Sequence, residues 1–237
     1  MKIEICSNSY ASAKAAQDGG ASRVELCSEL AVGGVTPSHA LIAKTVSELK
    51  IPLHVLIRPR SGNFVYTEDE IDIMIQDIKY CVELGCAGVV SGALHEDNSL
   101  HMAFAKRLIE AAQGLHFTFH RAFDCVADPL KTLEQLKELG VQRILSSGLK
   151  PKAIEGFDLL KELLAHSGDV EIMPGSGVNI DNVLHFKEAG FTSVHLSAQA
   201  KTKKTDDDAS LFGTSAPAIT DVDLVREIVK STQQLLS

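Results

Sequence analysis

The sequence predicts an α/β fold: a single-domain (β/α)8 barrel of the TIM type over 1–237, with a polar loop at 198–219 between the last strand and the last helix. Three observations predict it. A short apolar run, a turn and a helix-period segment recur eight times, and strands alternating with helices imply a parallel sheet. Eight is the number of strands that closes such a barrel, and the 237 residues are near its usual ~250. No linker divides the chain.

The elements follow in order, and because strand side chains alternate, each strand has one face toward the helices. Strand one, Ile3–Cys6, sends Ile3 and Ile5 outward and Glu4 and Cys6 into the barrel; helix 9–18 follows. Strand two, Arg23–Cys27, sends Val24 and Leu26 out and Arg23, Glu25 and Cys27 in, and a longer connection, 28–37, leads to helix 38–49. Strand three, Leu53–Arg58, turns His54, Leu56 and Arg58 inward. After the connection 59–67, Thr67 caps helix 68–84 and Glu70 completes a capping box. Strand four is Gly88–Ser91, with helix 100–112 after it. Strand five, His116–His120, buries Phe117 and Phe119 outward and turns Thr118 and His120 in. Asp128-Pro129 opens helix 128–139 as a cap followed by proline at the first helical position. Strand six, Arg143–Ser146, points Arg143, Leu145 and the following Ser147 inward ahead of helix 151–166. Strand seven, Glu171–Met173, precedes helix 180–189; strand eight, Ser193–Leu196, turns His195 and Ser197 inward before the polar loop and helix 221–235. Gly85, Gly114, Gly140 and Gly190 end helices and lead into strands.

Composition narrows the function classes. A net charge of −8 repels phosphate backbones and argues against nucleic acid as a partner. No apolar run reaches the ~18 residues of a membrane helix. The opening Met1-Lys2-Ile3-Glu4 enters a strand pattern without a signal-peptide core. The five cysteines, Cys6, Cys27, Cys81, Cys86 and Cys125, show no disulfide framework, and reduced thiols fit a cytoplasmic protein. A homo-oligomer is left open.

The predicted interior is more polar than the Val, Ile and Leu of an ordinary barrel core. Glu4, Glu25, Glu171, Arg23 and Arg143 are expected to form structural ion pairs, because unpaired buried charges are costly. Cys6, Cys27, Arg58, His120 and His195 stand instead at C-terminal strand ends, where barrel sites form. Cys6 and Cys27 end adjacent strands, ~4.8 Å apart, so their sulfurs could meet. Two soft thiolates suit Cu(I), whereas zinc would want more ligands, and no spaced Cys or His pair supplies them. The competing expectation is two small buried hydrophobes. Arg58 and Arg60 offer forks for a carboxylate or phosphate; a salt bridge from Arg58 to Glu25 is the bland alternative. His120 or Glu25 could serve an enzyme as the proton-transfer group. Gly175, Ser176 and Gly177 open the loop after strand seven, a usual phosphate position in this fold, and Ser147 could add a hydroxyl. Cys81, Cys86 and Cys125 read as structural.

Several stretches then become recognisable together. GASRVELCSELAVGGVTPS (20–38), LIRPRSGNFVYT (56–67), FTFHRAFD (117–124), RILSSG (143–148), MPGSGV (173–178) and VHLSA (194–198) resemble the CutC family of copper homeostasis proteins. The resemblance covers roughly the first 200 residues. It implies a cytosolic barrel that binds Cu(I) without an organic cofactor, with Cys6 and Cys27 at the positions of the family's proposed copper ligands. Ser22, Asn63, His101 and Ser176 depart from common family residues, and none is a proposed ligand. Two further readings stand beside copper handling: an enzyme acting on a small anionic metabolite, phosphorylated or carboxylated, and an interaction protein using the 198–219 loop.

Overall fold

The structure, a computed structural model, describes residues 1–199 and 219–233; most of the polar loop read at 198–219, and any role for it, lies outside them. Eight parallel strands form one sheet: β1 (Lys2–Ser7), β2 (Arg23–Leu26), β3 (Leu53–Leu56), β4 (Gly88–Ser91), β5 (His116–Phe119), β6 (Arg143–Ser146), β7 (Glu171–Pro174) and β8 (Ser193–Leu196). Between and after them run α1 (Tyr10–Asp18), α2 (His39–Glu48), α3 (Glu68–Glu83), α4 (Met102–Ala111), α5 (Pro129–Glu138), α6 (Phe157–His166), α7 (Val183–Glu188) and α8 (Val222–Gln233). Strand order follows the chain from β1 to β7, with β8 beside β1. A parallel bridge, Gly175↔His195, brings the β7 and β8 ends together, and the barrel is nearly closed. No helix among the described residues is long and apolar enough to cross a membrane.

The alternation read from the sequence sorts the side chains. Ile3, Ile5, Val24, Leu26, Val55, Phe117, Phe119, Ile144 and Val194 are buried in the layer between strands and helices. A separate small apolar group, Cys6, Cys27, Leu56 and Val90, lies inside the barrel. Helix starts follow local chemistry. Thr67 Oγ1 accepts from Glu70 N at 3.3 Å while Glu70 Oε2 accepts from Thr67 N at 2.8 Å, and Asp128 caps α5 ahead of Pro129.

Several elements are shorter than the sequence predicts, and for two of them the cause is plain. The segment expected as helix 151–166 becomes helical only at Phe157, because the backbones of Gly148 and Gly156 close against each other: a Cβ on Gly156 would lie 2.1 Å from the Ser147 carbonyl oxygen. Strand β3 stops at Leu56 rather than Arg58, since the Arg58 carbonyl accepts from Thr36 N at 2.9 Å and Pro59 has no N–H to continue a ladder.

The floor of the barrel interior is an ion-pair network. Arg23 Nε bonds Glu4; Arg143 Nε donates to Glu171 Oε2 at 2.5 Å. Each pair also faces the other, with Arg143–Glu4 at 3.8 Å and Arg23–Glu171 at 3.9 Å. Arg143 further reaches Thr118 Oγ1 at 3.1 Å and His116 Nε2 at 3.1 Å. The expected structural pairing therefore holds for four of the five charges. Glu25 sits one layer higher and faces His195 instead, at 3.4 Å.

Candidate metal and ligand site at the barrel mouth

A cavity of about 290 Å³ opens at the C-terminal ends of the strands. The two cysteines stand on its wall. Cys6 ends the inward face of β1, Cys27 follows β2, and their sulfurs are 3.6 Å apart. Gly34 makes room for this pair: its backbone has φ +86°, and a Cβ there would meet Leu56 at 2.7 Å and Cys27 Cβ at 3.4 Å. The hydrogen bond to Cys27, burial and the adjacent Glu25 carboxylate push the Cys6 thiol well up from its ordinary value.

Glu25 is the register partner of Cys6 across β1 and β2. Its carboxylate stands 3.4 Å from His195 Nε2, and burial raises its pKa. His195 is the β8 partner of Glu4, and its Nδ1 lies 2.9 Å from Glu4 Oε1. Burial opposes charge on the imidazole, but Glu25 and Glu4 outweigh it and raise the His195 pKa. Cys6, Glu25 and His195 each present a ligand atom within 4.8 Å of the others.

On the same cavity wall lie Arg58, Phe64 and His120. Arg58 does not pair with Glu25. Its guanidinium turns away toward the loops over the mouth, where the carbonyls of Val32, Gly34 and Gly62 accept from it at 2.9, 2.8 and 2.7 Å. Those short bonds occupy its two terminal nitrogens, leave the buried Nε without a partner among the described residues, and supply no negative charge. Arg58 is buried, and no carboxylate among the described residues comes within ion-pair distance. His120 Nδ1 accepts from Ala122 N at 3.2 Å, which puts the ring proton on Nε2, a buried atom without a partner among the described residues. Burial, with the nearby Arg58 charge, lowers its pKa to about 3, so the ring is neutral.

The remaining sequence candidates separate. Arg60 lies outside the cavity lining, because Glu70 and the Val65 carbonyl hold its guanidinium over α3. Ser147 is spent on Asp124, to which its hydroxyl donates at 2.9 Å and its N–H at 2.8 Å. Ser176 and Gly177 form part of the lip, while Gly175 stays buried beneath it against Leu145 and His195. Arg121 reaches the cavity beside its ion pair with Asp124. Sequence reasoning missed Asp124, which organises the β6 loop, and Phe64, whose ring lies 4.8 Å from that of His120. It also missed that Glu25 and His195 converge on Cys6. Strand parity held that signal, since all three are inward-facing.

The CutC family model matches residues 1–200. A CutC family protein of Pasteurella multocida is 45% identical over 201 residues, covering 84% of this chain and 82% of that protein. One from Xylella fastidiosa is 44% identical over 238 residues, covering 98% of this chain and 89% of its own. Among solved structures, CutC from Streptococcus agalactiae, a protein named for copper homeostasis, is 36% identical with a TM-score of 0.79, over 83% of this chain and 98% of that one. Thiamine phosphate pyrophosphorylase from Pyrococcus furiosus, at 14% identity and TM-score 0.62, shares the barrel fold alone.

Proposed function

This chain belongs to the CutC family, and from that premise we propose that it binds Cu(I) as cargo between the Cys6 and Cys27 thiolates at the barrel mouth. The observation that carries the reading is the 3.6 Å sulfur separation on the wall of an open cavity. Soft thiolates select Cu(I), which accepts few ligands, and both sulfurs already face one another without backbone movement. Such a site works in a reducing compartment, where the thiols are not lost to a disulfide, and the cytoplasm is the one proposed. The test is Cu(I) titration against a competing chelator. The Cys6→Ser, Cys27→Ser double variant should bind at least about a hundredfold more weakly, the loss of both soft donors. Undiminished affinity in that variant rules the reading out.

A second reading draws on a different observation, the buried Arg58 charge without a carboxylate partner among the described residues. In it the same mouth holds a small carboxylated or phosphorylated metabolite, whose oxyanion supplies the missing charge and accepts from the neutral His120 Nε2–H.

A further inference from the structure

A pair of thiolates would be complete for Cu(I), yet the mouth presents two more donors beside one of them. We infer that Cys6, Glu25 and His195 form a site for a divalent transition ion of the zinc type, with a further coordination position open to the cavity. The inference deepens the copper reading, because it shares Cys6 with it and adds a second class of occupant.

Spacing is the first argument. The three donor atoms lie within 4.8 Å of one another, and Glu25 Oε2 is 3.4 Å from His195 Nε2. Nitrogen and oxygen donors each ~2.1 Å from a tetrahedral ion stand about 3.4 Å apart, so this edge already has the dimension such an ion needs. Cys27, although 3.6 Å from Cys6, falls outside the three-donor group.

The surroundings of His195 give the second argument. Glu4 takes the Nδ1 side at 2.9 Å, which holds a ring proton there and directs the Nε2 edge at Glu25 and Cys6, so a bound ion would displace at most the Nε2 proton. A carboxylate behind a ligating imidazole is the usual outer support of a metal-bound histidine. Glu4 is itself fixed by Arg23 and faces Arg143 at 3.8 Å, so the support is rigid. The donors sit on three adjacent strands, β8, β1 and β2, whose ladders set their positions.

Donor chemistry is the third. One thiolate, one carboxylate and one neutral imidazole balance a divalent charge, and a mixed sulfur, oxygen and nitrogen set suits zinc better than Cu(I). Three protein donors with an open position is the composition of zinc sites that bind water or substrate, and this group opens onto the cavity. The sequence discounts zinc for want of a spaced ligand pair; in the fold the donors come from separate strands.

Co²⁺ is the probe, added to metal-free protein. One equivalent should give thiolate-to-cobalt charge-transfer absorption and the intense visible bands of a four-coordinate ion, and Zn²⁺ should displace it. Glu25→Gln and His195→Gln should each weaken Co²⁺ binding by about tenfold or more, while Cu(I) affinity stays near that of the parent. Cys27→Ser should do the reverse, losing Cu(I) and keeping Co²⁺, so the two readings fail separately. If either buried variant does not fold, Cys6→Ser keeps the volume and must abolish the charge-transfer band. A parent without that band, a band that survives Cys6→Ser, or Co²⁺ affinity unchanged in folded Glu25→Gln and His195→Gln overturns the site.

Discussion

On the floor of the barrel, Glu4, Arg23, Arg143 and Glu171 each have an opposite charge within 3.9 Å; at the mouth, among the described residues, Arg58 has none and His120 Nε2 has no hydrogen-bond partner. Both regions are buried, and both line the same parallel sheet. The floor is electrostatically closed and therefore structural. At the mouth, a cation, a neutral donor, two thiols and a carboxylate border a cavity, and their requirements are left for something that enters it. Buried polar groups without partners cost free energy, so their concentration at one end separates the binding end from the supporting end.

The largest expected effect comes from opening the floor. Arg143→Met removes the partner of Glu171 and one neighbour of Glu4, leaving carboxylate charge less compensated. Breaking a buried pair in this way costs about 3–5 kcal/mol, and the urea midpoint should fall accordingly. Cu(I) affinity of the protein that remains folded should not change, because Arg143 does not line the cavity. An unchanged midpoint would break the distinction between the two regions.

A smaller, graded effect should follow pH. Burial pushes His54 down to about 3, with Arg143, Arg23 and His116 helping and Glu4 opposing; burial and Arg58 push His120 to about 3 as well. Both folded values lie below the ordinary 6.5 of the unfolded chain. The unfolded state thus binds more protons, so the stability is complete above pH 6.5 and is lost as pH falls from there toward 3. Each of these two rings should remove about 1 kcal/mol per pH unit across that window. Glu171, held to about 2 mainly by Arg143 against the opposing effect of burial, adds its loss below 4.5 in the same direction. Urea unfolding at pH 7.5, 6.5 and 5.5 measures the slope. A flat profile would mean that these histidines are not held neutral.

The parity of the strands was legible without coordinates, and it placed Cys6 beside Cys27 and the four floor charges beside each other. Helix starts at Thr67 and Asp128 were legible for the same reason, since capping is local chemistry. What pattern alone does not carry is the course of the loops. A salt bridge from Arg58 to Glu25 stood as the alternative to anion binding because they share a face on adjacent strands, but the 28–37 and 59–67 loops bring three carbonyls to the guanidinium and turn it aside. Arg60 was drawn to Glu70, a residue whose capping role was read correctly and whose second bond was not. Ser147 was taken up by Asp124, 23 residues earlier in the chain. The Cys6, Glu25 and His195 group needed the pairing of β8 with β1, a ring-closing contact between the two ends of the chain.

The smallest change in stability, and the sharpest test of the mouth as a place awaiting an anion, is His120→Asn. The imidazole has two roles that this substitution separates. As the cap of the short 3₁₀ turn Arg121–Cys125, it accepts from Ala122 N, and asparagine at such a position can accept in the same way. As a cavity residue it offers Nε2–H, which the shorter side chain cannot reproduce. Loss of packing against Phe64 and relief of an unpartnered donor act in opposite directions, so stability should stay within about 1 kcal/mol of the parent. The response to anions should not. At constant ionic strength set with chloride, sodium phosphate or a small carboxylate such as glycolate should raise the parent's melting temperature saturably, by an amount equivalent to about 2.7 kcal/mol at a hundred times Kd. The variant should need about tenfold more of the same anion, the loss of one hydrogen bond to a charged group. Phosphate and glycolate distinguish which head group the mouth prefers. If neither shifts the parent beyond chloride, or if His120→Asn responds as the parent does, Arg58 is only a staple for the loops above it and the anion reading falls, leaving the metal sites to account for the mouth.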